Sequence, residues 1–290
     1  MNAKITAPGI YTVSHADYHA DCCPTPSLSS SVAKVLLRQS PAHAAMQHPK
    51  LNNNYVSAES SRFDLGTIAH ALLLEDDSSR LITIEADDWR TKAAKEARDA
   101  ARAEGKIPIL VKQAAHLLKM VGAARAFMRS SEIGDMKFMP EQTLAWKEGD
   151  AWCRARPDWL STDHTLILDY KTTDDANPEA FIRQIARMGY DTQAEFYSRG
   201  LEAVTGKRPL FVFLAQEIES PYACSLVALS NSYMAIAASK VARAIRTWSY
   251  CLKSGDWCAY SNKILYAEPE SWMLAQHERM EAFDSGEWTK

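Results

Sequence analysis

The sequence predicts an α/β fold with a mixed central β-sheet flanked by helices. Helical patterns fill the chain to about residue 130, consecutive strands begin near residue 137, and helices, strands and a further helix follow. No stretch has the proline, serine and glycine content of an interdomain linker, and we find no internal repeat. We therefore expect one domain over residues 1–290, with an N-terminal arm and helix (1–61), a core (62–230) and a C-terminal helical region (231–290).

The N-terminal part is predicted to be mainly helical. Residues 1–26 contain three prolines and a glycine, which predicts an irregular arm with short extended pieces. Ser29 or Ser30 is a suitable N-cap for the first helix, and the asparagine-rich residues 48–61 predict a loop. Helices are predicted at about 29–38, 62–75, 87–104 and 110–129.

Residues 137–171 are predicted to form three consecutive strands in a meander. Glu148-Gly149-Asp150 favours the first turn and residues 161–164 the second, and the last strand ends at Asp169-Tyr170-Lys171. Gly189 is predicted to separate the two helices that follow. The remaining predictions are helices at about 179–188, 191–205 (closed by Gly206), 232–253 and up to 283, and strands at 210–218 and 222–229.

Composition and charge exclude some classes of protein. With 47% hydrophobic and 24% charged residues the chain is typical of globular proteins. A net charge of −3 argues against a protein coated in basic surface, although it does not exclude a local basic groove. None of the six cysteines forms a CxxC pair, which favours free thiols in a reducing cytoplasm over a zinc ribbon. Neither a signal peptide nor an apolar run of membrane-spanning length is found.

The predicted hairpin over residues 156–171 carries the chemistry. Side chains alternate along a strand, so Asp169 and Lys171 share one face, and an antiparallel partner strand brings Asp158 beside them. Buried carboxylates are costly to desolvate unless something compensates, which a divalent cation does. Carboxylates suit Mg²⁺ or Mn²⁺ better than zinc. With Lys171 to position or deprotonate a water, this set indicates metal-assisted phosphodiester hydrolysis, and a plain salt bridge is the alternative.

Four motifs in a fixed order extend this pattern. They are Gly66-Thr67-Ile68-Ala69-His70 on a helix, Arg156-Pro157-Asp158 on a strand, Asp169-Tyr170-Lys171 on the next strand, and Gln193-Ala194-Glu195-Phe196-Tyr197 on a later helix. Together they resemble the PD-(D/E)xK nuclease superfamily, in particular its RecB-like branch. The segments SSSVAKVLLRQSPAH and GTIAHALLLE look like the RecE-type exonuclease domains of phages and prophages (exodeoxyribonuclease VIII). The resemblance covers roughly residues 27–265 and implies a restriction-endonuclease-like core.

The resemblance also implies roles for single residues. A lone histidine in an apolar helix is usually a core residue, but the joint match implies that His70 is a metal ligand. Glu141 is a candidate second-metal or supporting carboxylate, with a solvated strand-end charge as the alternative. Mg²⁺ is the implied cofactor, and Mn²⁺ is expected to substitute for it. The implied metal ligands are His70, Asp158, Asp169 and the backbone carbonyl of Tyr170, while Lys171 would assist the attacking water and Gln193 and Tyr197 would organise the site.

An end-binding nuclease also needs a path for the DNA strand and its 5′-phosphate. Candidate contacts, each of which is by itself more often a surface residue, are Ser29, Ser31, Lys34, Arg38, Arg154, Arg156, Arg183, Arg187 and Arg199. The C-terminal aromatic stretch, which includes Tyr260, Tyr266 and Trp272, is expected to pack in the core, with stacking on bases as the alternative. Because Cys251 and Cys258 are not close-spaced and have no upstream partner, no iron–sulfur cluster is expected.

The function implied by the resemblance is a metal-dependent 5′→3′ exodeoxyribonuclease that digests linear double-stranded DNA and leaves 3′ single strands for strand annealing. It further implies a ring-like homo-oligomer around DNA and a RecT-type annealing partner. We expect a phage- or prophage-encoded protein of the bacterial cytoplasm, with a nuclease domain that stands alone. Two alternatives are a single-strand or structure-specific nuclease of the kind that processes CRISPR adapters, and a non-catalytic DNA-binding accessory protein. The four intact residues His70, Asp158, Asp169 and Lys171 argue against the second alternative.

Overall fold

The computed structural model describes residues 5–55, 65–75, 81–104 and 106–284, and for residues 65–67 and 75 only the backbone. The chain divides into two compact units, residues 1–258 and 259–290. The helices are α1 (His15–His19), α2 (Ser30–Arg38), α3 (Pro41–Met46), α4 (Leu65–Glu75), α5 (Lys92–Ala103), α6 (Val111–Ser130), α7 (Pro178–Met188), α8 (Tyr190–Thr205), α9 (Asn231–Ser254) and α10 (Ser271–Asp284). The strands are β1 (Gly9–Tyr11), β2 (Leu81–Ile84), β3 (Ile107–Leu110), β4 (Phe138–Pro140), β5 (Thr143–Glu148), β6 (Ala151–Ala155), β7 (Trp159–Ser161), β8 (Leu166–Thr173), β9 (Leu210–Glu217) and β10 (Cys224–Ala228).

The central sheet has five strands in the order β10-β9-β8-β7-β4. Strands β8 and β9 are parallel, and the other neighbouring pairs are antiparallel. The parallel pair arises because α7 and α8 lie between β8 and β9 in the chain, as a parallel connection requires. The predicted mixed sheet is therefore confirmed.

The predicted single meander is wrong. Strands β5 and β6 form their own antiparallel sheet with β1, and the chain leaves β6 before it enters β7 in the central sheet. The break falls at residues 156–158, where Pro157 has no N–H to donate to a ladder. The predicted turn between β5 and β6 is present, with Gly149 at a φ of +60°.

Most predicted helices are present, but short elements were missed. The charged helix begins at Lys92 after the N-cap Thr91, and not at residue 87. The parallel pair β2 and β3 on either side of it was not predicted. Helices α1 and α3 were also missed, and the predicted loop over 48–61 lies partly outside the described residues.

The central sheet separates two hydrophobic layers. Leu168 and Tyr170 face the layer that contains α4 and α6. Ile167 faces the opposite layer, which contains α2, α8 and α9. Because side chains alternate along β8, Asp169 and Lys171 point into the second layer while Tyr170 points into the first. The end of β8 is thus the place where groups from both layers can meet.

The C-terminal aromatic residues are not core residues. Tyr260, Tyr266 and Trp272 are each more than half exposed, so the expectation of core packing is wrong for them. Trp257, in the first unit, is partly buried, and its ring lies 5.2 Å from that of Trp248. Among the residues that the structure describes, no helix has the length and hydropathy needed to cross a membrane.

Candidate active site

Strands β7 and β8 bring the two predicted carboxylates together. Trp159 pairs with Leu168, so continuing this antiparallel register sets Asp158 opposite Asp169. Both carboxylates are buried, and Oδ2 of Asp158 accepts a hydrogen bond of 2.7 Å from the backbone N–H of Tyr170. The juxtaposition predicted from the hairpin pattern is therefore observed.

His70 reaches the same point from α4. Its Nε2 lies 2.9 Å from Oδ1 of Asp158. Burial opposes the charged forms of both side chains, but their mutual attraction raises the pKa of His70 and holds the pKa of Asp158 below its usual value. A metal ion that bound both side chains would displace the proton from His70.

Asp169 is fully buried and is held from two sides. Oδ1 accepts a hydrogen bond of 2.7 Å from Nε2 of Gln193 on α8. Oδ2 forms an ion pair with the Lys171 ammonium. Burial raises the pKa of Asp169 to about 6, despite the attraction of Lys171. We call His70, Asp158, Asp169 and Lys171 the carboxylate–lysine site.

Lys171 carries a positive charge in this arrangement. Burial alone would lower the pKa of its ammonium, but the charges of Asp169 and Asp158 raise it above the usual value. The ammonium lies 5.1 Å from the centre of the Tyr190 ring, and that of Lys34 lies 5.8 Å from the same ring. Burial and the neighbouring Lys171 lower the pKa of Lys34 to about 8. The charge of Lys34 is thus the more weakly held of the two.

The donors of the carboxylate–lysine site fit a hard divalent cation. Two ligands on adjacent vertices of an octahedron with metal distances of about 2.1 Å lie about 3 Å apart, and Nε2 of His70 and Oδ1 of Asp158 have that separation. At Oδ2 of Asp169 a metal would take the place of the Lys171 ammonium. Within the described residues, no three His, Cys, Asp or Glu side chains form a ready-made metal cluster. We attribute this to two ion pairs in the site. One joins His70 to Asp158, and the other joins Asp169 to Lys171.

A cleft of about 630 Å³ opens beside this site. His70 and Asp158 lie on its wall, together with several side chains predicted to contact DNA or organise the site, namely Ser29, Ser31, Glu141, Arg154, Arg156 and Tyr197. The N-terminal arm adds three residues that the sequence did not indicate: His15, Tyr18 and His19. The spacing of His15 and His19 on one helical face was the only available signal. We call this cavity the arginine cleft.

Both arginines of the cleft are held by buried contacts. Nη1 of Arg154 donates to the Ser27 carbonyl at 2.8 Å and lies 3.2 Å from Oδ1 of the buried Asp21. Arg156 donates to the Val13 carbonyl and pairs with Glu141. The two guanidinium groups lie 5.5 and 5.8 Å from the centre of the Tyr18 ring.

Glu141 differs from the alternative reading of the sequence. It is not a solvated strand-end charge, because Arg156 neutralises it at the wall of the arginine cleft. It also lies in the turn between β4 and β5 with a φ of +49°, and not on a strand. Its backbone N–H donates to the Asp158 carbonyl at 2.9 Å, which ties this turn to the metal-site strand.

Four of the remaining predicted cations lie outside the arginine cleft. Arg38 donates a hydrogen bond of 2.7 Å to the carbonyl of Arg187 and so ties α2 to the end of α7. Arg199 forms a two-bond ion pair with Glu148 and does not line the arginine cleft. Arg183 and the side chain of Arg187 are exposed on α7. Gln193 and Tyr197 lie one turn apart on α8, as predicted, with Gln193 at Asp169 and Tyr197 in the arginine cleft.

The fold and site define a domain of the PD-(D/E)xK nuclease class, with a restriction-endonuclease-like core. The chain belongs to the family described as PDDEXK-like domain of unknown function (DUF3799), whose model matches residues 29–269. No curated protein matches the chain.

Two solved structures are similar to it. The crystal structure of a "Putative exonuclease" from Eubacterium rectale matches with a TM-score of 0.56 and 13% identity, covering 92% of this chain and 98% of that chain. This likeness shows a shared fold. The crystal structure of an alkaline exonuclease (LHK-Exo) from Laribacter hongkongensis matches with a TM-score of 0.29 and 14% identity, covering 64% of this chain and 94% of that chain.

Proposed function

We propose that this protein is a divalent-metal-dependent exodeoxyribonuclease that degrades linear double-stranded DNA from its 5′ ends and leaves 3′ single-stranded tails for strand annealing. The observation that carries the proposal is the convergence of the carboxylate–lysine site from both layers of the core, with His70 and Asp158 at the wall of the arginine cleft. A structural salt bridge alone would not require an imidazole, two buried carboxylates and a lysine at one strand end.

The residues that would hold Mg²⁺, or Mn²⁺ in its place, are His70, Asp158, Asp169 and the backbone carbonyl of Tyr170. When bound, the ion supplies a water of lowered pKa and positive charge for the phosphate oxygens. Gln193 keeps Asp169 oriented through the hydrogen bond to Oδ1. The N–H of Tyr170 does the same for Asp158.

Lys171 acts as a cation in this proposal. Its raised pKa favours positioning the attacking water by donating a hydrogen bond over removing a proton from it. In hydrolysis the water oxygen bonds to phosphorus while the bond to the leaving nucleoside oxygen breaks. An ammonium at the strand end stabilises the negative charge that develops on the phosphate in this step.

The arginine cleft is suited to the 5′-terminal phosphate and the strand that carries it. Arg154 and Arg156 are oriented by protein contacts before DNA arrives, so binding does not have to order them. Ser31 adds an exposed hydroxyl at the start of α2. Phosphate recognition by guanidinium groups with added hydroxyl donors is common in nucleic-acid sites.

A ring-like homo-oligomer, a RecT-type annealing partner and a place in the cytoplasm of a bacterial host complete the proposal. These three statements rest on the resemblance to RecE-type domains. The ring matters for the choice of substrate, because only a DNA molecule with a free end can thread into a closed ring.

Digestion of duplexes labelled separately at the 5′ and 3′ ends, with and without Mg²⁺, tests the proposal. We expect Mg²⁺-dependent release of the 5′ label first, and no release by Lys171→Ala or Asp169→Ala. Lys147→Ala is a matched control, because Lys147 is an exposed lysine that also lies over an aromatic ring, that of Trp152 at 5.1 Å. It should digest DNA like the unaltered protein.

The same assay separates the alternatives. Cutting of closed circular DNA, or a preference for single strands, would replace the exonuclease by a structure-specific nuclease. If the protein neither cuts DNA nor binds Mg²⁺ or Mn²⁺ at millimolar concentration in calorimetry, it is a DNA-binding accessory protein with a nuclease fold.

A further inference from the structure

The side chain of Tyr170 points away from the proposed metal site. It lies between Asp169 and Lys171 on β8, but it faces the layer that contains α4 and α6. Its hydroxyl donates a hydrogen bond of 2.6 Å to Oε1 of Gln216 on the neighbouring strand β9. Gln216 is completely buried, which is unusual for an amide side chain and requires partners for all its polar atoms.

Those partners are fixed parts of the backbone. Nε2 of Gln216 donates to the carbonyl of Met120 on α6 at 2.8 Å and to that of Tyr222 at 3.4 Å. Both donor positions of the amide are thus used, and its oxygen is left to accept from Tyr170. Gln216 therefore ties the Tyr170 side chain to α6 and to the turn before β10.

Tyr170 in turn contacts the residues proposed to bind metal. Its backbone N–H donates to Asp158 at 2.7 Å. Its ring centre lies 6.2 Å from that of His70. Asp169 is its neighbour in the chain, and its own carbonyl is the fourth proposed ligand. Tyr170 therefore adjoins each of the other three proposed ligands.

We propose that the buried hydrogen bond between Tyr170 and Gln216 is a positioning element that sets the metal affinity of the site. Fixing the Tyr170 side chain fixes the rotation of the β8 backbone at its carbonyl and N–H, and it sets the surface against which His70 rests. Neither side chain touches the reacting atoms, so both are positioning residues. The inference rests on the proposed function, since it concerns the metal of that site.

Tyr170→Phe is the direct test, because it removes one oxygen and keeps the ring. Loss of a hydrogen bond that orients metal ligands typically weakens metal binding by about 10- to 100-fold. We expect the Mn²⁺ dissociation constant, measured by calorimetry, to rise by about tenfold, near the lower end of that range. Gln216→Leu removes the acceptor together with both donors, so it should weaken Mn²⁺ binding at least as much. The double variant Tyr170→Phe/Gln216→Leu should bind Mn²⁺ no more weakly than Gln216→Leu, since the two residues act as a unit.

Tyr11→Phe is the matched control. Its hydroxyl donates a hydrogen bond of 2.7 Å to the carbonyl of Ala7, and Tyr11 lies on β1, outside the central sheet that carries the carboxylate–lysine site. It should leave the Mn²⁺ dissociation constant unchanged, while thermal melting of all variants measures any general loss of stability.

The outcomes are distinct. Equal Mn²⁺ affinity in Tyr170→Phe and the unaltered protein would overturn the inference, as would an equal loss in Tyr11→Phe. If the unaltered protein binds Mn²⁺ but cuts no DNA, the proposed function fails while the comparison of affinities still decides the inference. If it binds no Mn²⁺, both fail together.

Discussion

The hydrogen bond from Gln193 to Asp169 offers a sharp test of how this site is built. Gln193→Leu removes the amide and keeps a side chain of similar size. Asp169 is completely buried, so no water can replace the lost donor at Oδ1. The carboxylate would then be free to rotate, and its ionised form would lose one of its two partners.

The size of the effect follows from the type of bond. A hydrogen bond to a charged group contributes about 1.5–3 kcal/mol, and each 1.4 kcal/mol corresponds to about tenfold in an equilibrium constant. Gln193→Leu should therefore weaken Mg²⁺ binding by about 10- to 100-fold. Gln193→Glu should be worse, because a second carboxylate next to Asp169 favours protonation of the pair.

The assay is the rate of nucleotide release from linear duplex as a function of Mg²⁺ concentration. Weaker metal binding predicts a higher concentration for half-maximal rate, with part of the rate recovered at high Mg²⁺. Gln184→Leu is the control, because Gln184 accepts a hydrogen bond of 2.8 Å from Thr173 on the same strand β8 but lies outside the site. An unchanged Mg²⁺ dependence in Gln193→Leu, or an equal change in Gln184→Leu, would refute this reasoning.

Further predictions concern the pH dependence of the site and the packing of the core at Gly200. Metal binding needs ionised Asp169, whose pKa is about 6, and neutral His70, whose pKa is raised. The affinity for the metal should therefore fall by at least about tenfold per pH unit below pH 6. Calorimetry across this pH range checks the prediction, and an affinity that does not change with pH would contradict it. Because the folded-state pKa of Asp169 lies above its usual value, its contribution to the stability of the metal-free protein is largest at low pH and is lost as the pH rises through 6. Gly200→Ala should destabilise the protein by about 1–3 kcal/mol in urea unfolding, because a Cβ there would lie 2.6 Å from the ring of the buried Trp146. Gly122→Ala is the control and should not destabilise the protein, because the space around Gly122 is open. Equal stability of both variants would refute the packing argument.

The two carboxylates and the lysine of the carboxylate–lysine site could be predicted because they follow from local periodicity, whereas His70 was assigned from the family resemblance. Alternation along β8 sets Asp169 and Lys171 on one face, and helical spacing sets Gln193 and Tyr197 on one side of α8. A tight turn at residues 161–164 then leaves one antiparallel register for Asp158. These are short-range consequences of the chain, and the structure contains all of them.

The arginine cleft could not be predicted in the same way, because its contacts are long-range. Arg156 is held by the carbonyl of Val13, which is 143 residues away in the sequence. Tyr18 belongs to an arm whose prolines and glycine predict irregular structure, yet in the structure it lies in the five-residue helix α1. Glu141 looked like a free or metal-bound charge, and only the folded chain shows that Arg156 neutralises it.

The sequence also did not predict that the aromatic side chains near the C-terminus are exposed. Tyr260, Tyr266 and Trp272 have the composition of a core segment, yet they are exposed. Whether an aromatic side chain is buried depends on which surface is available to it in the folded chain, and composition does not contain that information.

The central claim is that the carboxylate–lysine site hydrolyses DNA with a divalent metal. The most direct measurement is Mg²⁺-dependent release of acid-soluble nucleotides from linear duplex by the unaltered protein, Lys171→Ala and Lys147→Ala in parallel. We predict release by the unaltered protein and by Lys147→Ala, and none by Lys171→Ala or in the absence of metal. Undiminished release by Lys171→Ala, or release that does not depend on a divalent metal, would contradict the claim.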